Sequence, residues 1–223
     1  NKQVGSFGDV ATWSFCTDKI ISTLGEGGMI STNNKKIYNY CQTHINHGSV
    51  LLKKNNSEKF IYNKHFFGTN LRITEIQSIA GIEQLKKLKK IQKKREKMSL
   101  DYLNIFLKYP KYISCYFPPK HIKSAWYRFY FFIKNNTNNQ QQIRFQIIKN
   151  LKKDNIKCFT GACTEIYLEK SFKKLKNIKF ERMKNCKLLG NTSLALEVNH
   201  TLNDFQHQDN LIKIKRNIKK IFK

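Results

Sequence analysis

The sequence predicts an α/β protein in two parts, residues 1–109 and 110–223, and three observations support this prediction. Short stretches rich in β-branched and aromatic residues flank a glycine cluster near the start, as two strands and a turn would. A long stretch then repeats apolar residues at steps of three and four, the period of an amphipathic helix. The prolines Pro110, Pro118 and Pro119 follow it, where a domain boundary is expected, and new strand and helix patterns begin after them.

The first part contains patterns for two strands and a helix before the long helix. "DVATWSF", residues 9–15, has the composition of a buried strand. "EGGMIST", residues 26–32, predicts a glycine break followed by a second strand, and residues 34–45 have a helical pattern. Residues 48–69 are polar without a clear period, so we expect an irregular segment there.

The long helical pattern runs from about Thr74 to Tyr109. Its middle, "KKLKKIQKKREK", is strongly basic, which favours a solvated helix face over a specific binding surface. Because its apolar stripe needs cover, we expect other parts of the protein to pack against it. The stripe consists of Ile76, Ile79, Ala80, Leu85, Leu88 and Ile91.

The second part mixes strand and helix patterns, which predicts a small α+β domain. "WYRFYFFI", residues 126–133, is the strongest strand signal in the chain. The polar residues 135–142 predict a loop, and a helix is expected at 143–154. Residues 189–198 suggest a further strand or a short turn, and Asp204 can begin a final helix that runs to the C-terminus.

The chain is strongly basic, with a formal net charge of +27, and such a charge would ordinarily suggest a nucleic-acid partner. Only 6 of its 42 basic residues are arginine, and Lys, Asn, Ile, Phe and Tyr are abundant together. That composition is typical of an AT-rich genome. Nucleic-acid readers rely more on arginine, whose planar fork binds guanine and phosphate. We therefore expect no specific nucleic-acid partner.

The cysteines are scattered, none forms a C-x-x-C pair, and no two of them lie near a histidine pair with zinc-site spacing. We therefore predict no metal site and reduced thiols, as in a cytoplasmic protein. No apolar run approaches the roughly 20 residues that span a bilayer, so no membrane partner is expected. The cysteines are Cys16, Cys41, Cys115, Cys158, Cys163 and Cys186.

Lys19 lies between the first strand and the cluster Gly25–Gly28, and it is a candidate nucleophile. A lysine in a closed pocket loses part of its affinity for a proton and can form a Schiff base with a carbonyl cofactor. Ser14, five residues earlier, has a hydroxyl that could bind a phosphate. The alternative is an ordinary surface lysine in a turn, and the spacing alone does not exclude it.

A set of motifs in one order extends this pattern across essentially the whole chain. "GSFGD" precedes Ser14–Phe15, then Lys19, then "GEGG" at 25–28. This order resembles the DegT/DnrJ/StrS family of sugar aminotransferases, pyridoxal-phosphate enzymes of the aspartate-aminotransferase (type I) fold. Further motifs similar to the family's are "HG" at 47–48, "GTNLRITEIQSIAGIEQLKKL" at 68–88, "GACTEIYLEKSF" at 161–172 and "LGNTSLALEVNHTL" at 189–202.

The resemblance implies roles for three residues. Lys19 matches the lysine that forms the Schiff base with pyridoxal phosphate and moves protons between substrate and cofactor. Ser14 matches the hydroxyl that holds the cofactor phosphate. Asn70 matches an asparagine that reaches the phosphate of the neighbouring subunit's cofactor, so a homodimer with a shared active site is implied. Family members with histidine in place of the lysine are dehydratases, so Lys19 favours amino transfer.

Other residues of the motifs keep two interpretations. Arg72 lies beside Asn70 and has a binding or a structural role, and His47 either approaches the substrate or is a structural histidine. The Glu26–Gly28 segment is expected to shape the turn. The closing motif Val198–Leu202 departs from the family's Val-His-Pro-Thr-Leu because it reads Val-Asn-His-Thr-Leu, which leaves its turn geometry open.

The resemblance implies an enzyme that moves an amino group, usually from glutamate, onto a nucleotide-linked keto-sugar for surface polysaccharide or glycoconjugate synthesis. Family members carry an N-terminal segment before the point that matches Asn1. That segment supplies a phosphate loop, an aromatic that stacks on the ring and an acid for the pyridinium nitrogen. The present residues alone are therefore expected to form the C-terminal part of such an enzyme and to be a poor catalyst.

Two other classes remain as alternatives. One is a catalytically inactive fragment with a regulatory or interaction role. The other is a basic nucleic-acid-binding module, which would show salt-dependent affinity for nucleic acid and no visible absorbance from a bound cofactor.

Overall fold

The computed structural model describes residues 2–49, 64–134, 137–161, 164–175 and 180–222. The chain forms two compact units, Asn1–Leu88 and Lys89–Lys223. This division falls inside the long helix, whereas the functional division proposed from the sequence lies at residues 109 and 110. Most of the segment expected to be irregular, residues 50–63, lies outside the described ranges.

The first unit contains a β-hairpin and a helix. Strand β1 (Ala11–Ser14) pairs antiparallel with β2 (Gly28–Ser31), and Ser14 lies opposite Gly28. Both strands are shorter than the sequence patterns suggested. Helix α1 (Lys35–Ile45) begins where expected because the side chain of Asn34 accepts hydrogen bonds from the first free N–H groups of the helix.

Helix α2 (Glu75–Phe106) confirms the long helical pattern, but its two halves differ in burial. Within its own unit the first half exposes its apolar side chains, including Ile76 and Ile79. Of the six stripe residues named from the sequence, only Ile91 is buried. The second half supplies the buried side chains Met98, Tyr102, Ile105 and Phe106.

The second unit is built on a four-stranded antiparallel sheet in the order β3–β4–β6–β5. The strongest strand signal of the sequence forms β4, whose alternate residues are fully buried, as expected for a sheet with one covered face. Strand β6 lies between β4 and β5 although it comes last in the chain. The strands are β3 (Ile113–Cys115), β4 (Arg128–Ile133), β5 (Cys158–Thr160) and β6 (Ser193–Glu197).

The helices of the second unit depart from the sequence patterns at two places. Helix α3 (Gln140–Lys153) begins inside the stretch predicted as a loop, and α5 (Lys184–Thr192) includes Leu189–Thr192, which the pattern placed in a strand or a short turn. A 3₁₀ turn (Ile166–Leu168) and the short α4 (Lys170–Lys173) lie between them. Helix α6 (Asp204–Ile221) begins at Asp204 as expected, behind a capping box formed by Asn203 and Gln206.

The buried core of the second unit is aromatic at its centre. The Phe106 ring stacks on the rings of Phe129 and Phe131, with ring centres 5.8 and 4.3 Å apart. Helices α3 and α6 add Ile147, Leu151, Ile214 and Ile218 to the same cluster, and the second half of α2 completes it. Among the helices of the described ranges, none combines the length and the apolar character needed to cross a membrane.

Candidate active site

Lys19 lies in a loop that is closed by main-chain hydrogen bonds at Phe15. The Phe15 N–H donates to the Gly27 carbonyl at 2.8 Å, which continues the β1–β2 ladder by one step. The Thr23 N–H donates to the Phe15 carbonyl at 3.2 Å, and Lys19 lies midway between these two residues. The Lys19 N–H donates to the Cys16 carbonyl at 3.1 Å. The loop therefore has a defined path.

The amine of Lys19 is accessible, since its side chain is 34% exposed. Its Nζ lies 3.5 Å from Asp18 Oδ1, and the Cys16 thiol donates to the same oxygen at 2.9 Å. An ion pair between partly exposed groups is weak, because water competes for both charges. The ion pair with Asp18 is therefore too weak by itself to keep the amine from another partner, as a nucleophile at this position requires.

Ser14, the last residue of β1, is exposed and lies on the same strand–loop segment as Lys19. Opposite it, Gly28 leaves no room for a side chain, because a Cβ atom there would lie 2.9 Å from the Trp13 carbonyl oxygen. Gly25 has φ +143°, which side chains disfavour. The glycines of the turn thus have a steric role next to the serine.

Asn70 is positioned by a different set of contacts, at the end of α1. It forms an antiparallel bridge with Asn46, and Arg72 Nη1 donates to Asn46 Oδ1 at 2.6 Å. His47, in left-handed conformation with φ +58°, donates its N–H to the Thr69 carbonyl at 3.3 Å. The structure therefore brings Asn70, Arg72 and His47 together and gives Arg72 a structural contact.

In the second unit, the motif at 161–172 contributes a polar cluster around Glu165. Arg182 Nε donates to Glu165 Oε1 at 2.8 Å, and the Tyr167 hydroxyl donates to the same oxygen at 2.9 Å. The Tyr167 oxygen in turn accepts the Met183 N–H at 3.0 Å. The bond from Arg182 holds the pKa of Glu165 below its usual value. Sequence reasoning quoted the motif but missed Arg182, which lies outside it and in no recognisable pattern.

A second polar cluster, around the buried Arg95, joins α2 to the closing motif at the point where that motif departs from the family. Arg95 donates to the Trp126 carbonyl at 2.7 and 3.1 Å and to the Tyr127 carbonyl at 2.9 Å. Burial and the nearby charge of Arg128 lower the pKa of Arg95 to about 10. Arg95 Nη1 lies 3.3 Å from His200 Nδ1, so that nitrogen acts as the acceptor and His200 is neutral. No candidate metal cluster of His, Cys, Asp or Glu occurs in the described ranges.

Comparison with known proteins identifies relatives across the chain. The sequence model of the DegT/DnrJ/EryC1/StrS aminotransferase family matches residues 1–214. A UDP-4-amino-4,6-dideoxy-N-acetyl-beta-L-altrosamine transaminase of Helicobacter pylori is 37% identical over 121 residues, which are 54% of this chain and 29% of that protein. The chain thus spans well under two thirds of the curated relatives it matches.

Solved structures give the same result at the level of the fold. An aminotransferase from Psychrobacter cryohalolentis superposes with a TM-score of 0.87 at 29% identity, over 100% of this chain and 59% of that one. The E. coli GDP-4-keto-6-deoxy-D-mannose-3-dehydratase, solved with hydrated pyridoxal phosphate, gives 0.80 at 27% identity, over 100% and 56%. The fold class predicted from the sequence, the aspartate-aminotransferase type, is confirmed.

Proposed function

The chain belongs to the DegT/DnrJ/EryC1/StrS aminotransferase family, and from that premise we propose that the intact protein is a pyridoxal-phosphate-dependent sugar aminotransferase. It moves an amino group, with glutamate as donor, onto a nucleotide-linked keto-sugar for polysaccharide or glycoconjugate synthesis. The observation that carries the proposal is the amine of Lys19, accessible and midway along a closed loop behind a strand that ends in Ser14.

The residues present fit pyridoxal phosphate, the cofactor of the family. Its aldehyde needs a primary amine and its phosphate needs hydroxyl or N–H donors, and Lys19 and Ser14 offer these groups from one strand–loop segment. When bound, the cofactor supplies an electron sink for the substrate carbon. Lys19 then holds the cofactor and moves the proton, and Ser14 anchors the phosphate. Asn70 supplies an amide to the cofactor phosphate of the partner subunit.

The identity of residue 19 favours amino transfer over dehydration. The E. coli dehydratase has the same fold as this chain, so the fold alone does not separate the two reactions. A primary amine at this position would hold the cofactor covalently and reversibly. The imidazole of a histidine would not, and the resemblance assigns histidine at this position to dehydratases. Lys19 is therefore the discriminating residue.

Some parts of the proposal concern the whole protein rather than the residues of this chain. The chain covers 59% of the Psychrobacter aminotransferase, so the activity proposed belongs to a protein that includes the remaining elements of such an enzyme. A homodimer with a shared site follows from the role proposed for Asn70. The cytoplasmic location and the absence of a specific nucleic-acid partner stay predictions.

Borohydride reduction tests the proposal directly. The full-length protein is incubated with pyridoxal phosphate and reduced with borohydride. Peptide mass spectrometry then locates the modified lysine. We expect the adduct on Lys19, its loss in Lys19→Ala, and at least about a 10³-fold loss of amino transfer in that variant. Lys90→Ala, a change at an exposed lysine of α2, is the matched control. An adduct that stays in Lys19→Ala, or lies only on other lysines, refutes the assignment.

A further inference from the structure

Thr23 closes the loop of Lys19 with its main chain and fills the space beneath the glycine turn with its side chain. Thr23 is 3% exposed. A Cβ atom on Gly27 would lie 2.3 Å from Thr23 Oγ1, and a Cβ atom on Gly81 would lie 3.1 Å from Thr23 Cγ2. Gly27 belongs to the turn after Lys19, and Gly81 belongs to α2. The threonine therefore touches the turn on one side and the helix on the other.

The hydroxyl of Thr23 has no hydrogen-bond partner in the described part of the chain. A buried hydroxyl without a partner lowers stability, because it has lost its water. Hydrogen bonding therefore does not explain why a threonine occupies position 23. The shape of the side chain explains it, since the branched side chain fills the gap that Gly27 and Gly81 leave open.

Gln77 forms a second connection between the turn and α2. Its Nε2 donates to the Glu26 carbonyl at 3.0 Å. The orientation of its amide is set by Thr74, whose N–H and hydroxyl donate to Gln77 Oε1 at 3.1 and 3.0 Å. Gln77 and Gly81 are four residues apart and so lie on one face of the helix. That face holds the turn at two points.

We propose that Thr23 is a positioning residue for Lys19: wedged between Gly27 and Gly81, it fixes the loop whose midpoint carries the amine. The inference rests on the proposed function, because positioning matters only if Lys19 reacts. A misplacement of about 1 Å costs an enzyme on the order of a hundredfold in rate. A loop held at its closing residue from both sides restricts such displacement.

The close approach of Gly27 to Thr23 allows a test with two substitutions, the first of which creates a steric clash and the second of which removes it. Gly27→Ala would place a methyl group 2.3 Å from Thr23 Oγ1, an atom of a short and buried side chain, so the loop or the threonine must shift. Gly27→Ala/Thr23→Ala removes that atom, and the nearest remaining neighbours of the new methyl are the Cβ of residue 23 at 3.5 Å and Phe15 Cβ at 3.6 Å, both ordinary contacts. Gly8→Ala is the matched control, because its new methyl meets only the Val10 carbonyl oxygen, at 3.7 Å.

Three measurements on the full-length protein follow the loop and the amine separately. Without cofactor, amide hydrogen exchange of residues 15–28 reports loop order. With pyridoxal phosphate, the rate at which Lys19 becomes reducible by borohydride and the pH midpoint of the visible absorbance report the amine. We expect Gly27→Ala to speed exchange and slow adduct formation roughly tenfold, and to shift the midpoint by at least about 0.5 pH units. In the double variant the new methyl takes the place of Thr23 Oγ1 but the contact of Thr23 Cγ2 with Gly81 is lost, so the variant should recover part, not all, of each change.

Other outcomes overturn the inference. If Gly27→Ala has the same hydrogen exchange and adduct formation as Gly8→Ala, Thr23 does not act as a wedge. If the double variant recovers nothing relative to Gly27→Ala, the contact with Thr23 is not the one that fixes the loop. If Gly27→Ala does not fold, recovery of folding in the double variant supports the wedge and failure to recover refutes it. Thr23→Val keeps the shape without the hydroxyl, so it should leave adduct formation within about twofold. A tenfold loss there would mean that the hydroxyl has a chemical role and the wedge is wrong.

The failure of this inference is distinguishable from failure of the proposed function. Hydrogen exchange is measured without cofactor, so the Gly27→Ala loss and its rescue can be scored even if Lys19 never carries an adduct. An adduct on Lys19 that is indifferent to Gly27→Ala would keep the function and remove the positioning role of Thr23.

Discussion

His200 and Arg95 show how one of the two departures from the closing motif is accommodated. The family usually has proline where this chain has His200. The imidazole of His200 accepts a hydrogen bond from Arg95, and Arg95 also donates to the carbonyls of Trp126 and Tyr127. Burial, followed by the charges of Arg95 and Lys94, lowers the pKa of His200 from its ordinary value near 6.5. The protonated form is thus disfavoured in the folded protein.

Acid should therefore weaken the second unit through His200. Between its folded pKa and about 6.5 the unfolded chain binds more protons than the folded one, so the free energy of unfolding falls as pH decreases through this window. His200→Asn keeps a neutral acceptor for Arg95. We expect its Tm to fall by a few degrees less than that of the unaltered protein between about pH 7.5 and pH 5.5.

The exposed His121 provides the control for this measurement. His121→Asn removes an imidazole without touching Arg95, so its Tm should follow that of the unaltered protein at both pH values. Identical pH dependence in His200→Asn would show that the Arg95–His200 contact does not govern acid stability.

At the scale of elements, α2 contributes to the second unit through one aromatic side chain above all. Phe106 is 1% exposed and stacks on both Phe129 and Phe131. Phe106→Ala should lower the free energy of unfolding by about 3–5 kcal/mol, because the helix and β4 cannot close the cavity that it leaves. Its neighbour Leu107 is 60% exposed, so Leu107→Ala should cost less than about 0.5 kcal/mol.

Urea titration of both variants measures these costs. Equal losses would mean that the packing of Phe106 is not the contact that joins α2 to the sheet. A loss for Phe106→Ala with an unchanged slope of unfolding free energy against urea would attribute the effect to packing alone.

Elements with a long regular pattern could be predicted from the sequence, and short or tertiary ones could not. Strand β4 was found because Arg128–Ile133 lies in a run rich in aromatic residues, which favour strands. Strands β3 and β5 have three residues each, too few to establish a period. Helix α5 was missed at Gly190, a poor helix former. A Cβ atom there would lie 2.5 Å from Thr164 Oγ1. The glycine is therefore required by a tertiary contact, which no local sequence pattern reveals.

The candidate site divides in the same way. Lys19, Ser14 and Asn70 were proposed from motifs in which spacing along the chain carries the signal, and the roles given to them stay predictions. Thr23 and Arg182 act through residues distant in sequence, Gly81 and Glu165 respectively. Such contacts leave no periodic trace, so the structure was needed to find them.

At the scale of the whole molecule, the buried hydrophobic cluster found among the described residues lies within the second unit, from Met98 to Ile218. Limited proteolysis of this segment should therefore degrade residues 1 to about 70 first and leave a resistant C-terminal fragment. Because the second half of α2 belongs to the core, the fragment should begin near Lys89 rather than after Pro110. Mass spectrometry of the digest measures its ends. Uniform resistance, or a fragment that begins after Pro110, would contradict this expectation.

The position of β6 between β4 and β5 has a consequence for how a cell makes this protein. The N-terminal parts of a chain leave the ribosome first and begin to fold there. Strands β4 and β5 emerge early but have no direct pairing with each other, since β6 separates them. The nascent sheet therefore waits with two open edges until translation reaches Ser193–Glu197. During that interval the emerging chain is the form that most needs a chaperone, because open edges attract other chains.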